Sequence, residues 1–216
     1  MIFRDRQEGG QKLISEIEKY KGNPNAIILG LPRGGVVTAF EISSALNLPL
    51  DIIAPRKISA PGAPELAIGA ITEDGELILN ESVKGYKIDP KYLETETENQ
   101  KKEAERRLKV YRGERPPLIL KDKIAIIVDD GVATGATMRA AIRSAKKSQA
   151  KKIVVAIPVI AQDSLEIIKN EVDEMIFLDA PPLFGAVGAF YENFSQTEDA
   201  EVIQLLNKQE NQLTIQ

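Results

Sequence analysis

The sequence predicts an α/β fold: an open, mostly parallel sheet with helices on both faces. Three observations carry that reading. Short continuous apolar runs recur at residues 26–31, 124–128 and 153–158, and such unbroken runs mark strands buried on both sides. Segments of helical periodicity lie between them. The first run is followed by a glycine turn, a helix and a second strand, the order of a parallel β-α-β unit.

Taken in order, residues 8–21 place Leu13, Ile14 and Ile17 on one helical face. Residues 26–31 form the first strand, Pro32-Arg33-Gly34-Gly35 breaks it, and residues 36–46 read as helix. Residues 49–55, with Leu50, Ile52 and Ile53, form the second strand. Residues 57–64 hold two prolines and a glycine and read as a loop. Thr72-Glu73-Asp74-Gly75, between apolar runs at 66–71 and 76–79, carries a hairpin signal. Asp89 is a candidate N-cap with Pro90 at the first helical position. It opens a charged helix over residues 91–111, expected to be largely solvated along one edge because Tyr92, Leu93, Leu108, Val110 and Tyr111 are its only sizeable apolar or aromatic side chains.

Residues 123–128 are the clearest strand, with a helix over 136–147 behind it. A strand at 153–158, a helix at 163–170 capped by Asp163, and a strand at 174–178 follow. Residues 178–197 are irregular and carry Phe184, Phe190, Tyr191 and Phe194. A helix over 200–206 ends the pattern, and residues 207–216 are expected to fray. No repeat or linker divides the chain, so a single domain over residues 1–216 is expected.

Composition narrows the chemistry. The chain has no cysteine, which excludes disulfides and thiolate metal sites. It has no histidine, which excludes the usual general base and every Ser-His or Cys-His pair. Carboxylates, lysine, arginine, hydroxyls, backbone amides or a hard cation must do any chemistry. A net charge of -4 provides no broad basic field for nucleic acid. No apolar run approaches a membrane span, and the first five residues are already charged, so no secretory signal is visible. A cytoplasmic protein without nucleic-acid or membrane partners is expected.

The most informative segment is Ile126-Ile127-Val128-Asp129-Asp130-Gly131-Val132-Ala133-Thr134-Gly135-Ala136-Thr137. A buried strand ends in two acids, a glycine- and threonine-rich loop follows, and a helix begins. Ligands of open α/β sheets bind at the carboxyl ends of the strands, and a helix N-terminus offers free N–H groups and partial positive charge to a phosphate. Gly131 and Gly135 allow close backbone approach, and Thr134 and Thr137 add hydroxyls. Two ionised carboxylates accept hydrogen bonds from sugar hydroxyls. A phosphorylated sugar satisfies both halves. The loop lacks the lysine of a Walker motif, and no Gly-x-Gly-x-x-Gly is present. The plainer alternative is a strand-loop-helix turn with two surface acids.

This segment resembles the motif of type I phosphoribosyltransferases that binds 5-phosphoribosyl-1-pyrophosphate (PRPP). The resemblance implies that Asp129 and Asp130 hold the ribose hydroxyls, while Ala133, Thr134, Gly135, Ala136 and Thr137 hold the 5′-phosphate, with Gly131 and Val132 completing the loop. Leu31-Pro32-Arg33-Gly34-Gly35 resembles the pyrophosphate loop of the same family; a tight turn with an exposed arginine is the alternative. Arg56-Lys57, read as the end of the second strand on the same sheet edge, is either a pyrophosphate contact or a solvated pair. Residues 59–76 correspond to the family's mobile loop and hairpin. The resemblance further implies an insertion at about 57–115 and a small C-terminal hood at about 179–197. Phe184 and Tyr191 are the hood's candidate acceptor-binding residues, with core packing as the alternative. The helix from Asp89 to Arg112 is either an edge decoration or a homodimer contact. The resemblance extends to Arg4-Asp5-Arg6 at the start and residues 188–194 near the end.

The implied reaction is transfer of ribose 5-phosphate from PRPP to a nitrogenous small-molecule acceptor, with Asp129, Asp130 and Arg33 as the catalytic residues. Mg²⁺ is the expected cofactor, meeting Asp129 and Asp130 only indirectly. A regulator that binds PRPP or a nucleotide without turnover, and a hydrolase that uses water as acceptor, are the alternatives.

Overall fold

The structure, a computed structural model, describes residues 1–72, 76–79 and 88–214, the side chains of Pro64 and Glu65 excepted. The chain begins with α1 (Arg6–Ile17), β1 (Ala26–Gly30), α2 (Gly34–Leu46) and β2 (Leu50–Ile52). Then come β3 (Arg56–Ala60), β4 (Ala63–Ile71), β5 (Leu77–Leu79) and α3 (Pro90–Arg112). β6 (Ile124–Val128), α4 (Ala136–Lys147), β7 (Lys152–Val159), α5 (Gln162–Ile168), β8 (Glu174–Asp179) and α6 (Asp199–Thr214) complete it.

Five strands form a parallel sheet in the order β2-β1-β6-β7-β8. Strand alternation divides the core. Ile28, Ile126 and Val154 pack with Leu13 and Ile17 of α1, Ile42 of α2 and Leu206 of α6. Leu29, Ile127 and Val155 point the other way, onto Met138 and Ile142 of α4 and Ile168 of α5. The continuous apolar runs exist because both faces are covered. The chain leaves β1 toward one edge and resumes beside it at β6, so strand order reverses there. Such a reversal opens a crevice at the carboxyl ends of the two strands. Register closes it tightly: Gly30 pairs with Val128, and the Leu31 amide donates to the Val128 carbonyl at 3.0 Å.

A second sheet, β3-β4-β5, is antiparallel. One face lays Ala67, Ala70 and Ile78 on Ala136 and Ala140 of α4. The other packs Ile58, Ile68 and Ile71 against Tyr92 and Leu93 of α3. The expected loop at residues 57–64 is therefore corrected: its first part is strand. Ile58 is fully buried, and pairing with β4 confines the turn to Pro61 and Gly62, where Gly62 has φ +70°. The hairpin turn expected at Glu73-Asp74-Gly75 lies outside the described residues. The strands on either side of it, β4 and β5, do pair antiparallel.

α1 is capped by Asp5, whose Oδ1 accepts the Glu8 amide at 2.9 Å. α3 is capped by Asp89, with Pro90 at its start. It is less solvated than its composition suggests. Tyr111 is buried and donates to Asp199 Oδ1 at 2.6 Å, and Arg112 reaches Asp51 at 3.0 Å. Asp163 does not cap α5; Ala161 holds that position and Asp163 lies in the first turn. The expected fraying after residue 206 is also corrected. α6 continues to Thr214 because Gln209 is buried, donating to the Leu48 carbonyl at 3.0 Å and accepting from Ser44 at 2.9 Å. Polar docking replaces apolar periodicity there. Among the described residues no helix is long and apolar enough to cross a membrane.

Gln209→Ala removes the hydrogen bonds to the Leu48 carbonyl, which keeps the Ser43 hydroxyl at 2.7 Å, and to Ser44, so unfolding free energy in urea falls by about 0.5–1.5 kcal/mol. A fall below about 0.3 kcal/mol, within the range of an ordinary surface substitution, would contradict the docking of this helix end.

Candidate active site

The crevice between β1 and β6 is lined by two turns. After β1, the Pro32–Arg33 peptide is cis and α2 starts at Gly34, two residues before the start at Val36 that the glycine break suggests. The amides of Gly34 and Gly35 therefore belong to a first helical turn, where no intrahelical acceptor exists. After β6 come Asp129 and Asp130. A Cβ on Gly34 would stand 2.1 Å from Asp130 Oδ2 and 2.6 Å from Arg6 Nε. One on Gly35 would stand 2.7 Å from Asp129 Oδ1 and 2.9 Å from its Cα. The two turns approach so closely that neither position admits a side chain without displacement.

The two acids differ. Asp129 Oδ1 accepts the Asp130 amide at 2.9 Å. Burial pushes the Asp129 carboxyl well above its ordinary range, and the adjacent Asp130 charge adds to it. Asp130 instead meets Arg6, whose Nε lies 2.5 Å from Oδ2. Both side chains are largely buried, at 12% and 13% exposure. The same guanidinium donates to the Ser195 carbonyl at 2.7 Å and lies 3.8 Å from the Phe194 ring centre.

The loop after the acids is pinned at its start. Val132 donates to the Val159 carbonyl at 3.0 Å and accepts from the Ala161 amide at 2.9 Å. Ser164 Oγ donates to the Ala133 carbonyl at 2.6 Å. Gly135, at φ +74°, turns the chain into α4. Among the described residues no acceptor takes the amides of Ala133, Thr134 or Gly135. Ala136 and Thr137 precede the first intrahelical bond, Arg139 to Gly135 at 2.9 Å. The bend thus presents a row of amides at the positive end of a helix, with no acid in its first turn.

Other expected site residues fall in different places. Arg33 sits beside the cis peptide, its guanidinium 3.5 Å from Asp199 and 3.9 Å from Glu198. Arg56 and Lys57 do not end the second strand; they start β3 in the antiparallel sheet. Arg56 turns onto α3, donating to Gln100 at 3.0 Å, and burial together with Arg107 lowers its pKa. Phe184 packs on Phe190 with ring centres 4.9 Å apart. It lines a cavity of about 400 Å³ together with Leu66, Ala133, Thr134 and Ser164. Tyr191 takes the packing alternative and props the acid pair. Its buried ring lies against Phe194 and Phe3, at 5.1 and 5.4 Å between centres, and its hydroxyl donates to the Asp130 carbonyl at 2.5 Å. Sequence reading gave Arg6 no role; its only trace was the Arg4-Asp5-Arg6 start.

The family model described as "Phosphoribosyl transferase domain" matches residues 4–181. The chain belongs to this family. Two Mycobacterium tuberculosis proteins, from strains CDC 1551 and H37Rv and each named "Putative phosphoribosyl transferase", are 41% identical over 208 residues, 96% of this chain and 47% of theirs. The chain spans about half the length of these curated relatives. A crystal structure of a Thermus thermophilus protein is 39% identical, covers 96% of this chain and 99% of its own, and superposes with a TM-score of 0.79. This phosphoribosyl transferase domain therefore has the fold expected from its sequence, with the family's motif segments at the carboxyl rim of the sheet.

A carboxyl whose pKa is raised by folding favours the folded state below its ordinary pKa and loses that contribution as pH rises through the raised value. Asp129→Asn, which mimics the protonated acid, is thus expected to raise the melting temperature at pH 7, with a smaller gain at pH 4. An unchanged or lower melting temperature at pH 7 would contradict the burial of this acid.

Proposed function

We propose that this domain binds PRPP and transfers its ribose 5-phosphate unit to a nitrogenous, nucleobase-like acceptor, releasing pyrophosphate. The observation that carries this reading is the meeting of an acid pair with two amide-bearing helix starts at the strand-order reversal. Asp129 and Asp130 would accept the ribose hydroxyls, Asp130 through Oδ1 because Arg6 engages Oδ2. The amides of residues 133–137, with the hydroxyls of Thr134 and Thr137, would hold the 5′-phosphate. The amides of Gly34 and Gly35 and the Arg33 guanidinium would hold the pyrophosphate. Arg56 and Lys57 are left out of this assignment.

The C1′–oxygen bond to pyrophosphate breaks as the acceptor nitrogen forms its bond to C1′, through positive charge on the ring. Fixed ligand halves on either side of C1′ make this a matter of positioning and electrostatics, so the absence of histidine is no obstacle. Among the described residues no group of three or more acidic side chains could hold a metal by itself. Asp129 and Asp130 would meet Mg²⁺ only indirectly, through the bound ligand and water, and the ion would supply charge neutralisation to the leaving pyrophosphate. Phe184 borders the cavity beside Ala133 and Thr134 and offers an apolar contact for a planar acceptor.

PRPP titration with and without Mg²⁺, followed by a pyrophosphate-release assay over a panel of bases, tests the reading. Mg²⁺-dependent binding and base-dependent release are expected. Binding without release under every acceptor would make the domain a sensor, and release without a base a hydrolase. Asp130→Asn is expected to weaken PRPP binding by about 1–3 kcal/mol. Arg33→Ala should weaken pyrophosphate binding more than ribose 5-phosphate binding; equal losses would contradict its place.

A further inference from the structure

We propose that Arg6 is the counter-charge that lets a diphosphate settle beside Asp129 and Asp130, a positioning residue for the pyrophosphate half of the ligand. The inference rests on the proposed reading of the site. Gly34 and Gly35, whose amides are assigned to pyrophosphate, are packed directly on the two carboxylates. A polyanion drawn to those amides meets the Asp130 carboxylate at contact range, where exclusion of water strengthens repulsion. Arg6 lies at this junction. The same added Cβ on Gly34 that would strike Asp130 would also strike Arg6 Nε.

The guanidinium is held from three sides, by Asp130, by the Ser195 carbonyl and by the Phe194 ring. The backbone around it is clamped as well. Phe3 donates to Phe190 at 2.8 Å, Glu192 donates to Phe3 at 2.8 Å, and Asn193 donates to Arg4 at 2.9 Å. The start of the chain and the segment after β8 together fix one buried cation against the ribose acid. Arg33, the other arginine at this turn, is shared with Asp199 and Glu198 and is looser, its contacts being 3.5 and 3.9 Å. A guanidinium so held keeps Asp130 oriented while cancelling the field that its charge projects onto Gly34.

The test is calorimetric titration of magnesium pyrophosphate and of ribose 5-phosphate into the wild type, Arg6→Gln, Arg6→Lys, Asp130→Asn and the Arg6→Gln/Asp130→Asn double variant. Arg6→Gln is expected to weaken pyrophosphate binding at least about tenfold and ribose 5-phosphate binding less than about threefold. Arg6→Lys, which keeps the charge, should stay within about threefold of wild type for pyrophosphate. In the Asp130→Asn background the Arg6→Gln loss should shrink below about threefold, because the charge being cancelled is gone. An equal loss in both backgrounds, or for both ligands, would reduce Arg6 to a structural ion pair and overturn the proposal. Should Arg6→Gln fail to fold, the double variant is compared with Asp130→Asn; a tenfold weaker double variant overturns it too. Wild-type protein that binds neither ligand would overturn the site reading itself, whereas wild-type binding matched by Arg6→Gln would overturn only the role of Arg6.

Discussion

The backbone of Gly34 and Gly35 lies on the carboxylates of Asp129 and Asp130, and the rest of the site depends on that contact. It exists because β1 and β6 are neighbours in register, with Gly30 opposite Val128, so that the turns leaving both strands emerge at the same height. Neither glycine admits a side chain without displacing these neighbours. Two helix starts and an acid pair are thereby brought together without any residue having to reach far. The outer helices and the antiparallel sheet serve this arrangement: β4 covers Ala136 and Ala140 at the beginning of α4, and α3 and α6 join through Tyr111 and Asp199 beside Arg33.

Concentrating acids there has an electrostatic cost, and the two acids meet it differently. Asp129 is driven toward the protonated form by burial and by its neighbour. Asp130 stays opposite Arg6 in a largely buried ion pair. Such a pair does little for stability by itself, since two desolvated charges offset much of their mutual attraction. Its retention at this position fits a site that must hold negative charge in a fixed orientation. The aromatic cluster of Phe3, Tyr191 and Phe194 supports both members, one through the Asp130 carbonyl and the other through the guanidinium.

The parts of this molecule that were legible in the sequence are those encoded locally. Residues 126–137 contain a strand, both acids, the bend and the helix start in one stretch, and the structure reproduces that order. The buried parallel strands were legible because covering on both faces demands apolar runs. Arg6 was not legible, because it meets Asp130 across 124 residues and nothing local marks the partnership. Acceptor binding and core packing both stayed open for Tyr191 because sequence cannot show that Phe3 lies against it. Arg56 and Lys57 were placed at the end of one strand because they directly follow its apolar run. Burial of Ile58 starts a new strand there instead. The end of α6 was missed because its docking is made by Gln209, a polar residue that carries no hydrophobic period.

A crystal structure of the domain with PRPP and Mg²⁺ tests the central geometry most directly. The expected electron density places the ribose hydroxyls within hydrogen-bond distance of Asp129 and Asp130, the 5′-phosphate on the amides of residues 133–137, and the pyrophosphate at Gly34 and Gly35. Density for the ligand elsewhere, with the bend empty and both carboxylates engaged only by the protein, would contradict it.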